Sequence, residues 1–208
     1  MTKTITVLFG GTFDPIHLGH TAVAADAAEK ISAERLIFIP AKCSPLKIQT
    51  PAASDEDRLT MIKLAIAEHD RFAVSNYELA KPAPSYTLAT VRHFQVELGS
   101  DTSVYWLLGS DAIDELAKWY KAAELIDECN LCAMFRAGFE PPDFAKFEGI
   151  WGRQRVEKLE RNIIETPLVD INSTEIRRRL ATGEDVSGML HPAVAEYIRT
   201  RQLYQTRD

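Results

Sequence analysis

Two histidines three residues apart, just after a pair of glycines, are the most chemically suggestive feature of this 208-residue chain. They stand in the run Phe9-Gly10-Gly11-Thr12-Phe13-Asp14-Pro15-Ile16-His17-Leu18-Gly19-His20. Residues at this spacing share one face of a helix, so His17 and His20 are both expected to point at whatever the glycines hold. Gly10 and Gly11 let backbone N–H groups come close to a phosphate, and the helix start that follows favours negative charge. Gly19 leaves room for a flat ring to lie on the backbone. The run lacks both the Gly-Lys-Ser/Thr ending of a Walker loop and Gly-x-Gly-x-x-Gly spacing, which argues against an ordinary ATPase or a dinucleotide-binding oxidoreductase.

A second run, Asn172-Ser173-Thr174-Glu175-Ile176-Arg177-Arg178-Arg179, carries complementary chemistry. Asn172 with Glu175 has capping-box spacing, and Ser173 and Thr174 present another helix start suited to an anion. Adjacent arginines on a helix diverge by about 100°, so one or two of the three can face a single ligand. Arg177 is nearest that start. Neither a Gly-x-Ser-x-Gly elbow nor a reactive cysteine setting accompanies these runs. Two anion-binding helix starts, two imidazoles and an arginine fit transfer of a nucleotidyl group, where the protein positions reactants and neutralises charge on phosphate oxygens.

Such groups need a scaffold. Short β-branched runs alternate with longer stretches of helical period, the pattern of a parallel sheet covered on both faces. Strands are expected at Thr4–Phe9, Arg35–Pro40, Phe72–Ser75, Ser103–Leu108 and Leu131–Phe135, with a weaker one near Leu168–Ile171. Helices are expected at Leu18–Lys30, Asp55–Glu68, Tyr86–Leu98, Ala112–Ala117, Thr174–Ala181 and from Pro192, with Ser54, Ser85 and Ser110 as caps and a loop at Ala137–Gly149. The first glycine run then falls at the carboxyl end of the first strand, where ligands sit in open parallel sheets. Residues 1–208 read as one doubly wound α/β domain, with 167–208 as a small C-terminal helical subdomain that completes the nucleotide site.

Composition sets the outer bounds. Twenty-four basic against thirty acidic residues give a net charge of −6, which argues against a general nucleic-acid or membrane-surface binder. No apolar run reaches the roughly 18 residues of a membrane span, and no secretory leader is visible, so a cytoplasmic protein is expected. The three cysteines, Cys43, Cys129 and Cys132, are too few for a disulfide framework. With His17 and His20, Cys129 and Cys132 supply four groups of zinc-ligand type. Yet residues three apart on an extended segment point to opposite faces, so the cysteines are expected to be structural and no metal-ligating residues are assigned.

The two runs together resemble the bacterial nicotinate-nucleotide adenylyltransferases, members of the nucleotidyltransferase superfamily with a His-x-Gly-His motif. The likeness extends from Val7 to Tyr197-Ile198 through Lys47, Arg58-x-x-Met61, Ser85-Tyr86-Thr87, Gly109-x-Asp111, Trp119-Tyr120 and Arg136-x-Gly138. It implies a Rossmann-like fold and transfer of the adenylyl group of ATP to nicotinate mononucleotide, with Mg²⁺, giving nicotinate adenine dinucleotide and pyrophosphate. It also implies that Gly10, Gly11, Thr12, Phe13, His17, Gly19, His20, Ser173, Thr174 and Arg177 bind ATP, with His17, His20 and Arg177 stabilising the transition state. Trp119 would stack on the pyridine ring; Thr87 and the backbone near Tyr86 and Tyr120 would receive its carboxylate, with Ser85 also in the substrate site. Gly109 would border that acceptor site, Asp111 would bond ribose, Arg136 would lie near the mononucleotide phosphate and Lys47 would be a further phosphate ligand. The sequence departs from the family pattern at Asn172 (commonly serine), Leu46 (often histidine) and Ala137 (usually proline). Other acceptors, namely the amide mononucleotide, phosphopantetheine or a sugar phosphate with CTP, stay open, as do a silent nucleotide sensor and a homo-oligomer.

Overall fold

The computed structural model describes residues 3–43, 45–46 and 50–205, with the side chains of Ser110 and Asp111 outside the description. Six parallel strands form one sheet: β1 (Thr4–Gly11), β2 (Arg35–Pro40), β3 (Phe72–Val74), β4 (Thr102–Gly109), β5 (Asn130–Arg136) and β6 (Ile163–Thr166). Their spatial order is β3-β2-β1-β4-β5-β6. The order reverses on either side of β1, so the crevice between the carboxyl ends of β1 and β4 is the topological switch point of a doubly wound fold.

Strand side chains alternate between two cores, as a period of two requires. Val7, Phe9, Leu36, Phe38, Leu107, Cys132 and Met134 face one. Leu8, Ile37, Ile39, Trp106, Leu108, Leu131 and Ala133 face the other. The first is covered by α1 (Leu18–Lys30), α2 (Asp55–Ile66), α8 (Ser173–Thr182) and α9 (Pro192–Arg201), through Ala24, Ala27, Met61, Ile62, Ile176, Val194 and Ile198. The second is covered by α3 (Thr87–Leu98), α5 (Ala122–Glu128) and α7 (Arg153–Glu160), through Leu88, Val91, Phe94, Leu125, Ile126, Val156 and Leu159. Each fully buried aliphatic or aromatic side chain contributes about 1.5–3 kcal/mol, so neither face of the sheet can do without its helices.

Several expectations are corrected. The last strand is Ile163–Thr166, paired with Ala133–Arg136, whereas Leu168 is 57% exposed and Leu168–Ile171 forms no strand. Ser85 does not cap α3, whose N-cap is Tyr86 with no side-chain bond; Ser110 does not cap α4 (Ser110–Ile113), which follows Gly109. The expected helix Ala112–Ala117 is split into α4 and a 3₁₀ turn at Leu116–Lys118, which buries Ile113 and Leu116. The Ala137–Gly149 loop ends in a 3₁₀ turn at Ala145–Phe147 and runs into α6 (Glu148–Trp151). A helix ending at Cys129 is expected from the sequence and α5 ends there, with Cys129 as its C-cap; α7 is not expected. Lys121, in the left-handed region at φ 52°, precedes α5, and Gly152 precedes α7, so neither helix start carries the usual Ser, Thr, Asn or Asp signal.

Cys129 and Cys132 are both buried, one in each core, and burial pushes each thiol up to about 12. Among the described residues no cluster of three His, Cys, Asp or Glu could hold a metal ion, and no helix is long and apolar enough to cross a membrane.

Candidate functional site

The two chemically suggestive runs meet. Ser173 Oγ donates to the carbonyl of Pro15 at 2.9 Å, and the Arg177 guanidinium donates to the carbonyl of Asp14 at 2.7 Å. A third donor, Arg58, is fully buried and bonds the carbonyl of Thr12 at 2.7 Å and Asp55 at 2.7 Å. Three carbonyls of the loop after β1 are thereby committed to donors, which removes oxygens that would otherwise repel an anion. The Asp14 carboxylate accepts the N–H groups of Ala52 and Ala53 and the hydroxyl of Tyr204, at 2.7, 3.1 and 2.7 Å. Burial, then the facing carboxylate, pushes the Tyr204 phenol up.

A cleft of about 610 Å³ opens between these segments, with Gly11, Thr12, Phe13, His20, Ser173, Thr174 and Arg177 in its wall. Asn172 caps α8 by accepting the N–H of Glu175 at 2.8 Å, which leaves the first-turn N–H groups of Ser173 and Thr174 for a ligand. The Glu175 carboxylate completes no capping box. It pairs with Arg178 and Arg179 instead, so of the three arginines only Arg177 faces the cleft. Phe13, held at φ 49°, buries its ring against Phe9, Phe38 and His20 and so anchors the loop to the core.

The histidines divide their work, against the expectation that both face the ligand. His20 lines the cleft; His17 is buried behind it, with the two rings stacked at 3.7 Å. The His17 N–H donates to His20 Nδ1 at 3.2 Å. Because Nδ1 acts as acceptor, the His20 proton sits on Nε2. Burial lowers the pKa of His17 to about 4, so that ring is neutral near pH 7. The room Gly19 provides is taken by His17 itself: a Cβ there would lie 3.0 Å from His17 Nδ1.

A second cavity of about 510 Å³ adjoins the first and shares Gly11, Thr12 and Leu46 with it. Its wall contains Ser85, Tyr86, Thr87, Gly109, Trp119 and Tyr120, all singled out from sequence. Tyr86 and Tyr120 stand at its mouth with rings 4.6 Å apart, Tyr120 being 52% exposed. Helix α3 opens onto this cavity with no side-chain cap and no acidic residue in its first turn, so its N–H groups suit a carboxylate. Gly10 belongs to this wall as well. A Cβ on Gly10 would lie 2.2 Å from the Trp106 ring, so the glycine is required by close packing. Arg136 is exposed at the end of β5 and lines neither cavity. Lys47 lies outside the described residues, as does the side chain of Asp111. Sequence reasoning missed Trp106, one apolar residue in an apolar strand, and Glu78, a buried carboxylate, both in the wall of the second cavity.

The sequence profile of the cytidylyltransferase-like family matches residues 8–179. A relative from Neisseria meningitidis serogroup B, named "probable nicotinate-nucleotide adenylyltransferase", is 37% identical over 95% of this chain and 97% of its own. One from Rhodopirellula baltica with the same name is 32% identical over 96% of this chain and 93% of its own. Among solved structures, nicotinic acid mononucleotide adenylyltransferase from Plasmodium falciparum, complexed with NaAD, superposes with a TM-score of 0.73 at 20% identity, covering 97% of each chain. That likeness shows the fold.

Proposed function

The chain belongs to the cytidylyltransferase-like family and, within it, to the nicotinate-nucleotide adenylyltransferases, and we propose how its two cavities divide the reaction of that family. The enzyme transfers the adenylyl group of ATP to nicotinate mononucleotide, releasing pyrophosphate. ATP places its phosphates in the cleft of His20, Ser173, Thr174 and Arg177. The mononucleotide takes the adjoining cavity, its ring stacked on Trp119 and its carboxylate at the start of α3, near Tyr86, Thr87 and Tyr120. The observation that carries this reading is the joining of the two cavities at Gly11 and Thr12, which lets two phosphates meet.

A phosphate oxygen of the mononucleotide attacks the α-phosphorus in line; the bond to the β-phosphate oxygen breaks, and pyrophosphate leaves with the electron pair. The attacking oxygen is already anionic, so no general base is required. His20 Nε2–H, the Arg177 guanidinium and the first N–H groups of α8 stabilise the charge that accumulates on the phosphates. His17 stays neutral and holds the His20 ring in place.

The described residues do not fit a protein-held metal. No three-ligand cluster exists among them, and the nearby Asp14 carboxylate already accepts three hydrogen bonds. A divalent ion would arrive on the oxygens of the nucleotide, where it supplies charge neutralisation.

Pyrophosphate release with ATP or CTP, measured across nicotinate mononucleotide, its amide, phosphopantetheine and a sugar phosphate, tests the assignment. Turnover should be greatest with ATP and nicotinate mononucleotide. Preference for phosphopantetheine or for CTP would overturn it.

A further inference from the structure

Glu78 is a carboxylate only 5% exposed, in the wall of the acceptor-side cavity, and the chemistry above gives it no part. Its surroundings are specific. Thr90 Oγ1 donates to Glu78 Oε1 at 2.6 Å, and the Ser85 hydroxyl lies near enough to the same carboxylate to lower its pKa. Ser85 Oγ in turn accepts the N–H of Lys42 at 3.1 Å, and the N–H of Ser85 donates to the carbonyl of Cys43 at 2.9 Å. Since Ser85 Oγ accepts from Lys42, its own proton is free to go to Glu78. Glu78 and Ser85 together therefore tie three pieces of backbone: the segment after β2 through Ser85, the turn before α3, and the first turn of α3 through Thr90.

Ser85 and Thr90 bracket Tyr86 and Thr87, the residues at which α3 opens onto the cavity. A carboxylate is an expensive group to bury, and burial raises its pKa against the lowering by Thr90 and Ser85. An apolar side chain would fill the space at lower cost, but it could not hold two hydroxyls at once.

We propose that Glu78 is a positioning residue for acceptor recognition: by holding Ser85 and Thr90 it fixes the start of α3, and with it the N–H groups that meet the acceptor's anionic ring substituent. This rests on placing the acceptor in that cavity. Glu78 does not line the phosphate cleft. Its loss should therefore be felt in acceptor binding and spare both ATP binding and the chemical step.

The test uses the full chain and steady-state kinetics with each substrate varied in turn. Glu78→Ala should raise KM for the acceptor about 10- to 100-fold, leaving KM for ATP within about twofold and kcat at saturating acceptor within about threefold. Glu78→Gln, which keeps an oxygen able to accept both hydroxyls, should recover most of the loss. Thr90→Val, which removes one bond and preserves shape, should fall between and stands in if Glu78→Ala does not fold. Unchanged acceptor KM in Glu78→Ala or Thr90→Val would overturn the proposal, as would an equal effect on both substrates. The acceptor panel on the wild type separates the two readings. If another acceptor is preferred, the functional reading falls, and Glu78 is then judged with that acceptor.

Discussion

Replacing Gly10 with alanine separates two physical reasons for a glycine in the first loop. If the glycine serves close approach of a phosphate, alanine should damage ATP binding. If it serves packing, alanine should damage whatever Trp106 borders. A Cβ at position 10 would lie 2.2 Å from one indole carbon and 2.6 Å from another, so the ring must recede by at least 1.2 Å to reach ordinary contact at 3.4 Å. Core overpacking of this size costs about 1–3 kcal/mol. Trp106 lines the acceptor-side cavity, so it can yield in that direction, which puts the cost near the lower end and the fall in Tm at about 2–6 °C. The displaced ring then occupies acceptor volume. KM for nicotinate mononucleotide should rise about tenfold, and KM for ATP should change less than threefold. Calorimetry and two-substrate kinetics on one preparation decide the matter. A Tm within 1 °C of wild type with unchanged acceptor KM would refute the packing argument, and a selective loss of ATP affinity would restore the phosphate one.

Further outcomes concern His20 and Arg177 in the cleft and His17 behind it. His20→Ala should lower kcat by two orders of magnitude or more with a fall in Tm of only a few degrees, read by pyrophosphate release and calorimetry, because His20 is half-buried and lines the cleft. Arg177→Ala should raise KM for ATP at least tenfold and cost about 1–2 kcal/mol in a denaturant titration, since a charge-assisted bond to the Asp14 carbonyl is lost. Arg177→Lys should rescue little, because one ammonium cannot span Asp14 and Thr174 as the planar fork does. Folded His17 stays neutral down to about pH 4, while the unfolded chain binds that proton near 6.5. Between those values the unfolded state holds more protons, so stability falls as pH is lowered through that window, by up to about 3 kcal/mol for this group. His17→Asn should flatten that part of the stability profile, measured as denaturant midpoints from pH 4 to 7.

The legible parts of the molecule were those where local signals agree. Val7, Leu8 and Phe9 followed by Gly10-Gly11 announce a buried strand ending at a binding edge, and the parallel order β3-β2-β1-β4-β5-β6 places that edge at the switch point. Ser54 caps α2 through the N–H of Asp57, as its type and position predict. What escaped the sequence is tertiary. Nothing in His17-Leu18-Gly19-His20 says that the cap position turns one ring inward while the other stays at the surface. Ser85 looks like a cap for α3, but its hydroxyl is engaged by Lys42 and Glu78, residues distant in sequence. Trp106 and Glu78 carry no local signal. Each acquires its place only when β4 and α3 are packed around the same cavity.

The bond from Tyr204 to Asp14 reaches across 190 positions, from beyond the last helix to the first loop. During synthesis, the loop after β1 therefore waits for a segment that emerges 190 positions later before its polar contacts close. A polypeptide released by a stop codon within α9 would retain every strand of the sheet yet leave that carboxylate one donor short. A fusion partner placed immediately after Tyr204 should for the same reason disturb turnover more than one placed ahead of Thr4, at the opposite end of β1 from the loop.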